Sequence, residues 1–186
     1  MKITKQTPKK EIIRLADNCR KCGHCCSYGG CYVLEDEAEN ISSALSIEKQ
    51  EFAEKYLEEI DFLNKKVYKT KIISKDLPFG KCIFLDEKRC MVQNVKPLHC
   101  RIGTCSEHGQ ATLEWFFLNH ILDLDDPESI RQWAVRLENT DTIPGGRLHE
   151  LVPDKKRLNN ILNYEIVKKE RDWDEVIGLK VIKENG

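Results

Sequence analysis

All nine cysteines of this 186-residue chain lie between Cys19 and Cys105, and the 81 residues after Cys105 contain none. Cysteines used only as small core residues would be scattered along the whole chain. A disulfide framework belongs to oxidising compartments, and an odd number of cysteines leaves one thiol unpaired. The stretch from Met1 to Asp17 lacks the apolar segment of a secretory signal. The expectation is a cytoplasmic protein whose thiols ligate metal.

The spacing narrows the metal. Cys19, Cys22, Cys25 and Cys26 form a C-x2-C-x2-C-C run. Two residues between thiolates let a short turn wrap one centre, with its amides free to hydrogen-bond the sulfurs. Gly23 supplies backbone freedom within that turn, and Gly29 and Gly30 do so after it. Zinc ribbons use one C-x2-C pair and a distant second pair. A C-x2-C-x2-C run is closer to the bacterial iron–sulfur pattern, although the usual C-x3-C-P ending is missing. In an extended backbone Cys25 and Cys26 would project to opposite sides, serving two centres or offering alternatives to one.

A second group follows about 55 residues later as Cys82, Cys90, Cys100 and Cys105. Apolar residues on either side of Asp86-Glu87-Lys88-Arg89 suggest a β-hairpin with Cys82 and Cys90 on its two arms. Pro97 reads as a break, which would place Cys100 and Cys105 in a loop. The two groups meet only through tertiary folding, so metal binding and folding are coupled. With this many thiols, His24, His99 and His108 are not needed as ligands, and His120 reads as a packing residue on an apolar helical face.

Charge adds a local argument and excludes a global one. Thirty basic side chains balance 31 acidic ones, which argues for neither nucleic acid nor an anionic membrane as partner. Locally, residues 1–21 carry seven Lys or Arg against two Asp or Glu, and residues 65–101 carry ten against three. Positive charge beside the cysteines would stabilise thiolates and a net-negative cluster. Hydrophobic residues at 40% suffice for a packed core, and no apolar run approaches the roughly 18 residues of a spanning helix.

At these residues the chain resembles the CxxCxxCC cysteine-cluster family (the YkgJ family) of zinc- or iron-chelating domains. The matching pieces are Cys19-x2-Cys22-Gly23-x-Cys25-Cys26, then Cys82-Ile83-Phe84-Leu85, Cys90, and Lys96-Pro97-x2-Cys100-Arg101. The family usually has Pro at the position of Ile83 and Arg at that of Lys96. Cys105 stands where relatives often have a final cysteine, and Cys31 is additional. A related segment occurs in the longer flagellin lysine-N-methylases, which are similar to iron–sulfur proteins in their cysteine usage. The resemblance implies a metal centre on Cys19, Cys22, Cys25, Cys26, Cys82, Cys90, Cys100 and Cys105.

Outside the cysteines, helical periodicity dominates. Pro8 opens a short helix with Ile12, Leu15 and Ala16 on one face. A second helix is predicted over residues 34–45. A third is capped by Ser46 and carries Ala53, Tyr56, Leu57 and Ile60. Val67–Ile73 reads as a strand. Leu113, Phe116, Phe117 and Ile121 form a stripe, Asp126-Pro127 starts another helix, and Leu158, Ile161, Leu162 and Ile166 mark a last one. Residues 142–147 read as a linker.

The predicted fold is α+β: mostly helical, with a small β-hairpin and cysteine-bearing loops. Residues 1–110 would form the cysteine-cluster domain and 111–186 a helical extension packed on it, or both would be one domain. The leading functional expectation is one [4Fe-4S] cluster, or two, in electron transfer or as a redox accessory to a protein partner. The alternative is a zinc-stapled interaction module. A third reading, a protein-modifying enzyme, rests on the flagellin-methylase analogy alone. No P-loop, dinucleotide fingerprint or hydrolase triad is present, so the chain is not expected to be an enzyme on its own.

Overall fold

The computed structural model describes residues 2–16, 19–73 and 79–166. Helix α1 (Lys9–Ala16) starts after Pro8, whose carbonyl accepts the N–H groups of Glu11 and Ile12. Its buried face carries Ile12 and Ala16, one turn apart. Helix α2 (Glu35–Ala44) lies where the periodicity places it.

Helix α3 (Lys49–Tyr56) is shorter than expected at both ends. It begins after Glu48 rather than at Ser46, and Leu57 passes directly into strand β2 (Leu57–Phe62). Strand β3 (Lys65–Thr70) returns antiparallel through Leu63 and Asn64, whose φ values are +52° and +56°. Two consecutive left-handed residues give the turn whose twist suits a hairpin. Across the ladder Glu58 faces Lys69 and Asp61 faces Lys66. These opposite-charge pairs, together with Val67, Tyr68 and Thr70, favour strand over a continued helix. Strand β1 (Tyr32–Val33) completes a sheet of order β1-β3-β2.

The strand expected over Val67–Ile73 is divided at Lys71. Strand β4 (Ile72–Ile73) pairs with β5 (Lys81–Cys82), and β6 (Leu85–Asp86) pairs with β7 (Arg89–Cys90). The expected hairpin is therefore real for Cys90, which faces Leu85, but Cys82 faces Ile72 on a different ladder. Between them Phe84 stacks on Phe52 and Tyr56 at 6.1 and 5.1 Å. Burying that ring takes the chain off one ladder before it joins the next.

Pro97 opens a helix rather than breaking one. Helix α4 (Leu98–Ile102) follows it, so Cys100 is helical and not in a loop. Proline has the φ of a helix start, and Glu37 accepts the otherwise orphaned Leu98 N–H at 2.6 Å. Helix α5 (Gly109–Phe116) runs on through a π-helical turn at Phe117–Ile121. Helix α6 (Pro127–Asn139) is capped by Asp126, whose carboxylate accepts the Glu128 N–H. Helices α7 (Leu148–Leu151) and α8 (Lys155–Leu162) end the described chain, and α8 stops short of Ile166.

The segment read as a linker is packed instead. Pro144 accepts the Lys5 N–H, and Gly146 accepts the Trp133 indole N–H, both at 2.9 Å. The part of the predicted extension beyond residue 166 lies outside the described residues. Two apolar clusters result. The larger gathers Ile12, Leu98, Ile102, Phe116, Trp133 and Ile161, drawing on both sides of residue 110. The smaller gathers Val33, Ile41, Phe52, Phe84 and Leu85 with Cys31 and Cys82.

Candidate metal centre

The first cysteine group is wrapped as its glycine suggested, with Lys21 at φ +53° and Gly23 at φ +74°. Cys25 and Cys26 are not extended but form a 3-10 turn, closed by the Ser27 N–H and hydroxyl on the Gly23 carbonyl at 3.0 and 2.9 Å. The adjacent thiols still differ: Cys25 is exposed and Cys26 is half-buried.

Two adjoining cavities bring all nine thiols together. The larger, about 390 Å3 and open to solvent, is reached by Cys19, Cys22 and Cys105, which do not reach the smaller. The smaller, about 90 Å3, is reached by Cys31 and Cys82, which do not reach the larger. Cys25, Cys26, Cys90 and Cys100 line both. All eight cysteines expected as ligands thus converge, and so does Cys31, which the spacing had left without a role. Among the described residues no three His, Cys, Asp or Glu side chains clasp a single point as one ion would require. The thiols are instead set around the cavity walls.

Cys31 is placed by backbone chemistry that the cysteine spacing does not reveal. Its N–H donates to the Thr70 hydroxyl at 2.9 Å, and its carbonyl accepts the Thr70 N–H at 2.8 Å. The same hydroxyl lies 3.9 Å from the Cys31 sulfur and 3.6 Å from the Cys82 sulfur. Gly30 makes this approach feasible, because a Cβ there would sit 2.2 Å from the Thr70 carbonyl oxygen. Its use is close contact rather than turning.

The electrostatics sort the thiols further. The Cys26 thiol donates to Cys25 and pulls its pKa down to about 6, with backbone N–H groups and Lys96 assisting against burial. Cys26 is pushed up in turn, so the pair shares one proton. Cys100 is raised well above the usual thiol range by its hydrogen bond with Cys31 and then by burial. Burial also raises Cys82 and Cys90. Burial alone would lower Lys96, but its hydrogen bond to Cys19 and the nearby Cys19, Cys100 and Cys90 sulfurs raise it. The charged residues lining the larger cavity are Arg20, Lys21, Lys88 and Lys96, all cationic. Positive charge next to thiols favours the thiolate that metals bind.

Of the histidines, His99 alone reaches the wall of the smaller cavity, and none lines the larger. His24 is exposed beside Tyr28. His99 packs between Tyr32 and Phe116, where burial lowers its pKa to about 4. His108 contacts Glu107, and His120 is half-buried against Trp115 and Phe116.

The fold and the site define a small α+β metal-binding protein built around a thiol-lined cavity. The sequence model of the CxxCxxCC family, described as a putative zinc- or iron-chelating domain, matches residues 18–117, and the chain belongs to that family. No solved structure matches the chain. Among the described residues, no helix is long and apolar enough to cross a membrane.

Proposed function

We propose that the larger cavity holds a [4Fe-4S] cluster and that the protein works in electron transfer, or as a redox accessory, with a protein partner. The observation carrying this reading is the distribution of thiols around the walls of a solvent-open cavity of about 390 Å3. That arrangement suits a polynuclear cluster held at its corners. The donor set fits, being all thiol, with Cys25 already disposed to ionise and with lysines and an arginine to balance negative charge. The cluster would supply one-electron redox chemistry. The protein's part is to hold the thiolates, keep Lys96 protonated beside them, and leave one side open for approach of the partner.

Zinc is the second reading. It is favoured by the two-residue strands β5 and β7, which carry Cys82 and Cys90 and need a staple. Anaerobic purification followed by a visible spectrum and iron, zinc and sulfide analysis separates the two. Brown protein with iron and acid-labile sulfide in equal amounts is the expected result. Colourless protein carrying zinc and no sulfide would overturn it.

A further inference from the structure

We propose that the nine thiols serve two adjoining metal centres, the inner one held by the more deeply buried set Cys26, Cys31, Cys82 and Cys100 and the outer one by thiols around the larger cavity. This inference rests on the metal-binding reading above but not on which metal is bound. Its ligand class is a thiophilic centre in a four-thiolate shell, a zinc or iron ion requiring the thiols to close further inward than an iron–sulfur cluster does.

The smaller cavity carries the argument. Cys31 and Cys82 are only 4% and 7% exposed and have no access to the larger cavity, so a single centre there would leave both unused. Buried thiols can serve simply as small hydrophobes, but these are oriented. Thr70, fully buried, sits between their sulfurs and fixes Cys31 through two backbone hydrogen bonds. Cys31 in turn hydrogen-bonds Cys100 from α4, and Cys26 lies within electrostatic reach of Cys100 and Cys82. Four thiols from four separate segments therefore surround one space.

Phe84, Leu85 and Val92, all buried, give that space an apolar wall, and Lys96 and His99 also line it. The outer centre then takes Cys19, Cys22 and Cys105 with Cys25, and Cys90 stands between the two. Ligation of the inner centre requires its thiols to lose their protons to solvent and to close inward by side-chain rotation.

The test is metal and sulfide stoichiometry on the holoprotein, alongside Cys31→Ala and Cys22→Ala. The wild-type protein is expected to carry two centres, about eight iron with equal sulfide or about two zinc. Each variant is expected to lose about half of that metal, and the double variant nearly all of it. Wild-type protein with one centre's worth of metal would overturn the inference while leaving metal binding intact, and it decides the matter even if a variant fails to fold. Full metal in Cys31→Ala, or complete loss of metal from either folded single variant, would also overturn it. Two zinc per chain would remove the iron–sulfur reading and leave the two centres standing.

Discussion

The two apolar clusters of this molecule are held in different ways. The larger is closed by big side chains on helices: Trp133 is fully buried with its indole N–H bonded to Gly146, and Trp115 is anchored on the Thr7 carbonyl at 2.8 Å. Arg136 lies over the Phe117 and Trp133 rings and pairs with Glu114 at 3.0 Å. The smaller cluster has Phe52 and Phe84 as its largest buried residues. It rests beside four two-residue strands, β4 to β7, in two separate ladders. Isolated ladders of that length are not stable in water by themselves. The difference gives the proposed metal centre an energetic role. The helical side is secured by apolar burial, and the thiol side is expected to depend on ligation to hold its loops together.

Three substitutions separate the two sides, beginning with the largest expected effect. Trp133→Ala removes a fully buried aromatic and its hydrogen bond, and is expected to cost about 3–5 kcal/mol by denaturant unfolding. Metal per folded chain should be unchanged. Loss of metal in proportion to stability would break the comparison. Thr70→Val keeps the shape but leaves the Cys31 N–H without its acceptor, an expected cost of about 1–3 kcal/mol. Here the metal should become easier to remove by a chelator, and an unchanged release rate would detach Thr70 from the thiol site. Asp154→Ala deletes the cap that accepts the Lys156 and Arg157 N–H groups at the start of α8. It is expected to cost about 1 kcal/mol. A thermal scan should register that loss with the metal spectrum identical to wild type.

Much of this was legible in the residues. Ile12 and Ala16, the Asp126-Pro127 start and the stripe through Phe116 and Ile121 mark helices by local rules, and the structure follows them. The cysteine run announced a metal site because four thiols in eight residues have few other uses. The β2–β3 hairpin was hidden because Ala53, Tyr56, Leu57 and Ile60 also fit a helical face. What decides in favour of strand is pairing with residues 65–70, a non-local property visible only as complementary charge in Glu58, Asp61, Lys66 and Lys69. Cys31 was hidden for a similar reason. Its place is set by Thr70, 39 residues away, and by the missing side chain of Gly30. The packed segment at 142–147 shows the converse error, since turn residues mark a bend without saying what lies against it.

The dependence of one side on metal is tested most directly by hydrogen exchange, comparing the holoprotein with protein stripped of metal under reducing conditions. The account predicts that amides in residues 19–33 and 81–105 lose most of their protection on stripping, while α5 and α6 keep theirs. Equal protection with and without metal in residues 81–105, or a parallel collapse of α6, would contradict it.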